Sequence, residues 1–189
     1  MINKFSLDHQ SKNYLIISSD IELRYEMVIT KVGEYFDKSV EKILENPDVM
    51  YVSLPVIDKS GNITSTLSNY ELQMREYGLL DKLDTNRIGN EITIDQIREV
   101  ISFTQISAHK NKKIVILNSA SNMNKEASSA LLKTLEEVSS NCTFILLASS
   151  LTSIAETIKS RCQVLQYSKI SRWIRILTSK TSFFRNILF

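Results

Sequence analysis

The stretch "KKIVILNSASNMNKEASSALLKTLEEVSSNCTFILLAS" (residues 112–149) decides the fold. It contains two runs, "KIVIL" and "CTFILLAS", that are almost wholly apolar, as strands buried on both faces are. Between them Asn124 can cap a helix, because its side-chain oxygen can accept a hydrogen bond from the first turn. That helix would present one apolar face, made of Ala127, Ala130, Leu131, Thr134, Leu135 and Val138. Glu136 and Glu137 would lie on its solvent-exposed face. The order strand, helix, strand predicts two parallel strands joined by a crossover helix.

The same alternation continues outward along the chain. Apolar runs predict three further strands, at 13–18, 49–54 and 162–167. Helical spacing predicts three further helices, over 20–36, after the capping box "TIDQ" (93–96), and near 151–158. The helix after the capping box has as its apolar members Ile97, Val100, Ile101 and Ile106. We therefore expect an α/β domain with a parallel sheet covered by helices on both faces.

Residues 58–90 do not fit the alternation, because they have weak periodicity and many turn-forming residues. We expect an irregular insertion there, with one helix near 69–83. The domain would then span residues 1–167, and residues 168–189 would form a separate basic, apolar tail.

Composition excludes several classes of protein. The 189 residues are 43% hydrophobic and 23% charged, which is typical of a globular protein with a sizeable core. No run approaches the roughly 18 apolar residues of a membrane helix, and the first residues lack an apolar leader, so we expect a cytoplasmic protein. Cys142 and Cys162 are too few for a disulfide framework or a structural zinc site, so we expect reduced thiols and no bound metal. We expect both histidines, His9 and His109, to be exposed.

The parts needed for nucleotide hydrolysis are missing. A phosphate-binding loop after the first strand requires glycines, a lysine and a hydroxyl residue. Here that strand leads into "SSDIELR" (18–24), which has no glycine or lysine and carries Asp20 and Glu22, whose charges would repel phosphate. After "KIVIL" comes Asn118 rather than a carboxylate that could hold Mg²⁺. We predict no cofactor and no triphosphate hydrolysis by this chain alone.

Four motifs, in this order and spacing, make the chain resemble a known family. They are "ITIDQIRE" (92–99), "KIVILNSASNMN" (113–124), "ALLKTLEE" (130–137) and "TIKSRCQ" (157–163). Together with weaker agreement at "NPDVMYV" (46–52), they resemble the delta-prime subunits of the bacterial DNA polymerase III clamp loader, which are AAA+ proteins. The resemblance covers about 150 residues and is most specific in the second half.

The resemblance implies a function and a set of partners. It implies a subunit that is not catalytic by itself and belongs to a DNA-directed DNA polymerase holoenzyme, a nucleotidyltransferase. Such a subunit helps load the sliding clamp on primed DNA. The implied partners are an ATPase subunit and a delta-like subunit of the loader, with the clamp and primed DNA contacted indirectly and no membrane involved.

The resemblance also implies a role for the Ser-Arg-Cys motif. Arg161 would be an arginine finger that acts in trans on the triphosphate of a neighbouring ATPase subunit, supported by Ser160 and Cys162. An arginine suits this role because it is always charged and presents a planar fork of donors to phosphate oxygens. The alternative reading of Arg161 is an ordinary surface ion pair.

Three departures from the family pattern leave alternatives open. The chain has no four-cysteine zinc module before the second strand, and "EEV" (136–138) replaces the family's "EEP". The family continues into a helical lid and a collar that holds the loader together, and we expect this chain to lack the collar. A degenerate truncated fragment without assembly function is therefore an alternative, as is an independent nucleotide-binding enzyme, which the missing phosphate loop disfavours.

The tail (168–189) differs in charge from the rest of the chain. Residues 157–189 hold seven basic and no acidic residues, whereas residues 1–156 hold the other 16 basic and all 21 acidic residues, a balance of −5. Three interpretations remain: a truncated or frameshifted reading frame, a diverged first helix of the lid, or a basic amphipathic helix. The apolar side of such a helix would be Ile170, Trp173, Ile174 and Leu177.

Overall fold

Five parallel strands form the central sheet of the chain. The computed structural model describes residues 5, 7, 13–68, 70–72, 88–110, 112–137 and 141–167. The sheet contains β1 (Tyr14–Ile17), β2 (Val49–Val52), β5 (Lys113–Leu117), β6 (Cys142–Ala148) and β7 (Gln163–Gln166). Its strand order is β2-β5-β6-β1-β7, and all four pairings are parallel. The predicted parallel sheet is confirmed.

Helices and short turns connect these strands. The α-helices are α1 (Ile21–Phe36), α2 (Val40–Ile43), α3 (Ile94–Gln105), α4 (Lys125–Glu137) and α5 (Glu156–Lys159). Two short 3₁₀ turns, Ala120–Asn122 and Leu151–Ser153, precede α4 and α5. Among the described residues no helix is both long and apolar enough to cross a membrane.

The sheet is buried on both faces, as the apolar strands predicted. Alternate strand residues point to opposite sides, so Leu15 and Ile17 join one hydrophobic cluster and Ile16 joins the other. The first cluster is completed by apolar residues of α3 and α4, and the second by those of α1. The helices therefore cover both faces of the sheet, as expected.

The predicted caps are present in the structure. Thr93 and Gln96 form the full capping box of α3, and the Gln96 amide also donates to the Ser53 carbonyl at 2.9 Å. The Asn124 side chain accepts from the backbone N–H of Ala127 at 2.9 Å, which caps α4. These caps satisfy backbone groups that a helix end leaves without partners, and they fix where each helix begins.

Part of the irregular insertion is regular in the structure, which corrects the prediction there. An antiparallel hairpin pairs β3 (Pro55–Ile57) with β4 (Ile63–Thr66), and Ile88 forms a bridge with Val56. The strand β4 escaped prediction because its sequence is "ITST" and none of its residues is buried, so it lacks the apolar pattern of a core strand. Of the helix predicted near 69–83, only residues 70–72 are described, and they are helical.

Two helix predictions differ from the structure in detail. Ile106 was assigned to the apolar face of α3, but the helix ends at Gln105 and Ile106 is extended and 62% exposed. The helix predicted near 151–158 is divided into a 3₁₀ turn and α5, because Ile154 between them is extended and buried in the core. His9, Val138 and the tail residues 168–189 lie outside the described residues, whereas the His109 side chain is exposed as predicted.

A buried carboxylate holds the loop that precedes β5. The Asp48 side chain is 1% exposed and accepts hydrogen bonds from the backbone N–H groups of His109 and Lys110, both at 2.8 Å. Burial raises the pKa of Asp48, but the bonds from His109 and Lys110 lower it by more, so the net pKa lies below its ordinary value. The ionised carboxylate therefore stabilises the folded chain.

We predict that Asp48→Asn lowers the free energy of unfolding by about 1–3 kcal/mol at pH 7, because the amide keeps one acceptor oxygen and places its donors against a backbone N–H. A carboxyl with a depressed folded pKa stabilises above its unfolded pKa and loses that contribution as pH falls through the folded value. The difference between wild type and variant should therefore be largest at neutral pH and shrink in acid. Urea unfolding at several pH values measures it.

The exposed Asp95, on the first turn of α3, provides the matched control. Asp95→Asn removes the same charge and should change stability by less than about 1 kcal/mol. Equal stability of Asp48→Asn and wild type at pH 7 would contradict the role assigned to Asp48.

Candidate functional site

The loop after β1 is closed by its own hydrogen bonds. Ser18 Oγ accepts from the Asp20 N–H at 3.2 Å, and Asp20 Oδ1 accepts from the Leu23 N–H at 3.0 Å, as the N-cap of α1. The buried Arg24 donates from Nη1 to the Ser18 carbonyl at 2.5 Å. A carboxylate therefore occupies the helix N-terminus at which such sheets bind phosphate.

The end of β5 carries an amide where magnesium would need a carboxylate. Asn118 is buried and donates from Nδ2 to the Tyr51 hydroxyl at 2.9 Å, and its oxygen accepts from the Ser119 N–H at 3.0 Å. Burial raises the pKa of the Tyr51 phenol, so this group stays neutral at physiological pH. The carboxyl-terminal edge of the sheet thus presents neither a phosphate cradle nor a metal-binding carboxylate at these two positions.

Arg161 lies at the opposite edge of the sheet. It follows α5 and precedes β7, and its backbone N–H donates to the Ile158 carbonyl at 3.1 Å. Because β7 runs parallel to β1, a residue just before β7 lies at the amino-terminal edge, beside Asn13. The loop at Ser18 follows β1 and therefore lies at the carboxyl-terminal edge.

The guanidinium of Arg161 is held by groups of its own chain. Nε donates to Glu136 Oε1 at 2.6 Å, and Nη2 donates to the same oxygen. Nη1 donates to the Thr157 carbonyl at 2.8 Å and to Ser160 Oγ at 3.2 Å. The Arg161 side chain nevertheless stays 32% exposed and that of Glu136 50% exposed. The pair is a surface contact that another molecule can reach.

The two other residues of the motif occupy different environments. Ser160 is exposed, donates to the Thr157 carbonyl at 2.9 Å and contacts the Arg161 guanidinium. Cys162 is a partly buried free thiol that packs against the hydrophobic core, and burial raises its pKa to about 12. Ser160 is therefore brought together with Arg161, whereas Cys162 anchors the turn by packing. A thiol with so high a pKa is not a nucleophile at neutral pH.

Asn13 connects the arginine loop, residues 160–162 between α5 and β7, to the rest of the domain. Its Nδ2 donates to the carbonyls of Leu135 at 3.2 Å and Arg161 at 3.4 Å, and its Oδ1 accepts from the Phe144 N–H at 3.4 Å. Its backbone carbonyl accepts from the Gln163 N–H at 2.7 Å. One residue thus ties the end of α4, the start of β6 and the Arg161 backbone together.

Sequence reasoning missed both Glu136 and Asn13. Glu136 was assigned to the solvent-facing side of α4, and it is exposed, but it also pairs with Arg161, 25 residues away in sequence. Asn13 was read only as the beginning of the strand "NYLIIS". Neither contact has a local signal, because each depends on which strands neighbour one another in the sheet.

We predict that Asn13→Asp lowers the free energy of unfolding by about 1–3 kcal/mol, because it replaces two N–H donors by a carboxylate that faces two carbonyls. Urea unfolding measures the loss. Asn124→Asp is the matched control, since within the described part of the chain Asn124 uses only the oxygen of its side-chain amide, and aspartate is an equally good cap. Equal effects of the two substitutions would show that the donors of Asn13 do not hold the loop.

Comparison with known proteins agrees with this architecture. The family model described as "DNA polymerase III, delta subunit" matches residues 70–171, more than half of the chain. Among solved structures, a DNA polymerase III gamma subunit-related protein from Thermotoga maritima superposes with a TM-score of 0.57 at 19% identity, over 92% of this chain and 46% of that protein. At that identity the likeness concerns the fold, which is AAA+-like.

The curated relatives include subunit delta' of DNA polymerase III and a subunit of replication factor C. DNA polymerase III subunit delta' is 42% identical over 77 residues in Haemophilus influenzae, which is 40% of this chain and 24% of that subunit. In Pseudomonas aeruginosa it is 36% identical over 81 residues, or 42% of this chain and 25% of that subunit. Replication factor C subunit 5 of Neurospora crassa is 28% identical over 137 residues, covering 71% of this chain and 36% of that protein. The aligned region thus spans about a quarter to a third of the length of these relatives. Because the family model matches more than half of the chain, the chain belongs to the DNA polymerase III delta subunit family as a delta-prime-like clamp-loader protein.

Proposed function

We propose that this chain is a non-catalytic, delta-prime-like subunit that supplies Arg161 to the triphosphate site of a neighbouring ATPase subunit. In that role it helps load the sliding clamp on primed DNA. Its direct partners are an ATPase subunit and a delta-like subunit in the cytoplasm, and its contact with clamp and primed DNA is indirect. The carrying observation is that Arg161 is partly exposed at the amino-terminal edge of the sheet, while the loop at the carboxyl-terminal edge is closed by Asp20.

The positions of the two edges support action in trans. Strand β1 has four residues, which at about 3.3 Å each separate the edges by about 13 Å. Arg161 precedes β7, so its backbone lies at the amino-terminal edge of the sheet, whereas the loop at Ser18 lies at the carboxyl-terminal edge. A phosphate that Arg161 contacts must therefore come from another molecule docked on the amino-terminal edge.

The chemistry of arginine supports the same role. In phosphoryl transfer, negative charge spreads over the oxygens of the transferred group, and a positioned guanidinium stabilises it. Arg161 carries a permanent charge, and Asn13 and Thr157 hold its backbone and side chain in place. A positioned arginine loses less conformational freedom when it binds than a freely moving one.

One observation favours a second candidate function. The pair between Arg161 and Glu136 connects the end of α4 to the turn before β7, so Arg161 can have a structural role alone. In that case the chain would be a degenerate fragment without assembly function. The two candidates differ in whether Arg161 affects the activity of a partner.

We predict that the isolated chain binds ATP no more tightly than about 1 mM, because the Asp20 carboxylate and closed loop exclude phosphate from the start of α1. Isothermal titration calorimetry measures the affinity. ATP binding in the micromolar range that disappears in a variant with residues 18–24 altered would contradict the closed phosphate site, and ATP turnover lost in the same variant would contradict the proposal of a non-catalytic subunit.

We predict that Arg161→Ala in a reconstituted loader slows single-turnover ATP hydrolysis at the interface with this chain by about 10³-fold, as loss of an arginine supplied in trans does. The stability of the isolated chain should fall by less than about 1 kcal/mol, because the pair with Glu136 is exposed. Arg161→Lys should also slow ATP hydrolysis, since an ammonium keeps the charge but loses the planar fork of donors.

Arg98 offers a matched control, because it is an exposed arginine paired locally with Asp95. Arg98→Ala removes the same charge and should leave hydrolysis unchanged. Full activity of Arg161→Ala in an assembled loader, or failure of the wild-type chain to assemble, would support the second candidate.

A further inference from the structure

We propose that Glu136 is a competing ligand for Arg161 and sets the affinity with which this arginine engages phosphate. This inference rests on the proposed function, because it concerns the same guanidinium. It assigns a role to a residue of α4 that the sequence motifs place on the solvent side. The role follows from the geometry of the donors.

Glu136 occupies the donor edge that a phosphate would need. Nε and Nη2 of Arg161 both donate to Glu136 Oε1. These two nitrogens form one of the parallel N–H pairs with which a guanidinium grips a carboxylate or phosphate bidentately. A phosphate cannot use that edge while the carboxylate holds it, so the two ligands are mutually exclusive there.

The remaining edge of Arg161 is held within its own loop. Nη1 donates to the Thr157 carbonyl and to Ser160 Oγ, both within four residues of Arg161 in sequence. Departure of Glu136 would therefore free the Nε and Nη2 edge and leave the Nη1 contacts in place. Exchange of carboxylate for phosphate needs no unfolding of α5 or of the turn before β7.

The exposure of the pair makes the competition weak enough to be reversed. Both side chains are partly exposed. Breaking an exposed ion pair of this kind to bind a competing ligand raises that ligand's dissociation constant by about 1.4- to 5-fold. A polyphosphate carries more charge than one carboxylate and can displace it. Glu136 thus occupies the Nε and Nη2 edge of the guanidinium until phosphate is present, and lowers the affinity of Arg161 for phosphate by that factor.

The first test uses the isolated chain, inorganic tripolyphosphate and the NMR signal of the Arg161 Nε–H group. Glu136→Gln should shift this signal in the absence of phosphate and lower the dissociation constant for tripolyphosphate by about 1.4- to 5-fold. Glu137→Gln is the matched control, because Glu137 is the next, exposed residue and loses the same charge. It should leave both quantities close to wild type.

The second test uses the assembled loader. Glu136→Gln should tighten binding of this chain to the ATPase subunit by about the same factor when a non-hydrolysable triphosphate is bound, and should leave binding unchanged without nucleotide. In an Arg161→Ala background the gain should vanish, because the competing ligand then has no donor to release.

The outcomes separate this inference from the proposed function. If Arg161→Ala slows hydrolysis but Glu136→Gln behaves like Glu137→Gln in both tests, only the competition is wrong. A weaker affinity for phosphate in Glu136→Gln would also overturn it, since Glu136 would then position the arginine. An Arg161 signal that does not respond to tripolyphosphate even in Glu136→Gln would likewise overturn it. If Arg161→Ala has no effect in an assembled loader, the proposed function itself fails.

Discussion

The parallel pairing of β7 with β1 determines where Arg161 can lie. Among the described strands, β7 pairs only with β1, with Tyr14 opposite Gln163 and Ile17 opposite Gln166. The chain turns from α5 into β7 at Arg161, so a shift in this register would move the guanidinium away from Glu136. Asn13, immediately before β1, adds side-chain bonds at the same end of the pairing. The strand pairing and the arginine loop therefore depend on each other.

Much of the fold could be predicted because its signals are local. Apolar runs such as "KIVIL" and "CTFILLAS" marked buried strands, and the capping residues Thr93 and Asn124 marked where α3 and α4 begin. Each signal depends on residues within a few positions of one another, which a sequence displays directly. The hairpin strand β4 was missed for the complementary reason, since its pairing with β3 buries no apolar face that would leave a pattern.

The candidate site was predictable only in part, because its contacts join distant segments. The resemblance identified Arg161, but its partners come from α4 and from the residue before β1, 25 and 148 positions away. A charged residue on a helix surface looks the same in sequence whether or not it finds a partner, so Glu136 was assigned to solvent. The strand order β6-β1-β7 brings these segments together, and no local pattern of residues reports that order.

In the proposed function, the two edges of the sheet divide the chemistry of a nucleotide interface between chains. At the carboxyl-terminal edge, Asp20 satisfies the first turn of α1, so the backbone donors that would bind phosphate serve the stability of the helix. At the amino-terminal edge, Glu136 holds the Arg161 guanidinium in a position that remains partly exposed.

Both arrangements place a carboxylate where a phosphate could bind, but removing the two carboxylates has different effects on the fold. The Asp20 carboxylate is an integral part of the helix start, and replacing it would remove a cap, whereas the Glu136 carboxylate is an exposed side chain whose departure disturbs no secondary structure. The Asp20 contact at the first edge therefore belongs to the folded helix start, and under the proposed function a partner's phosphate displaces the Glu136 contact at the second edge.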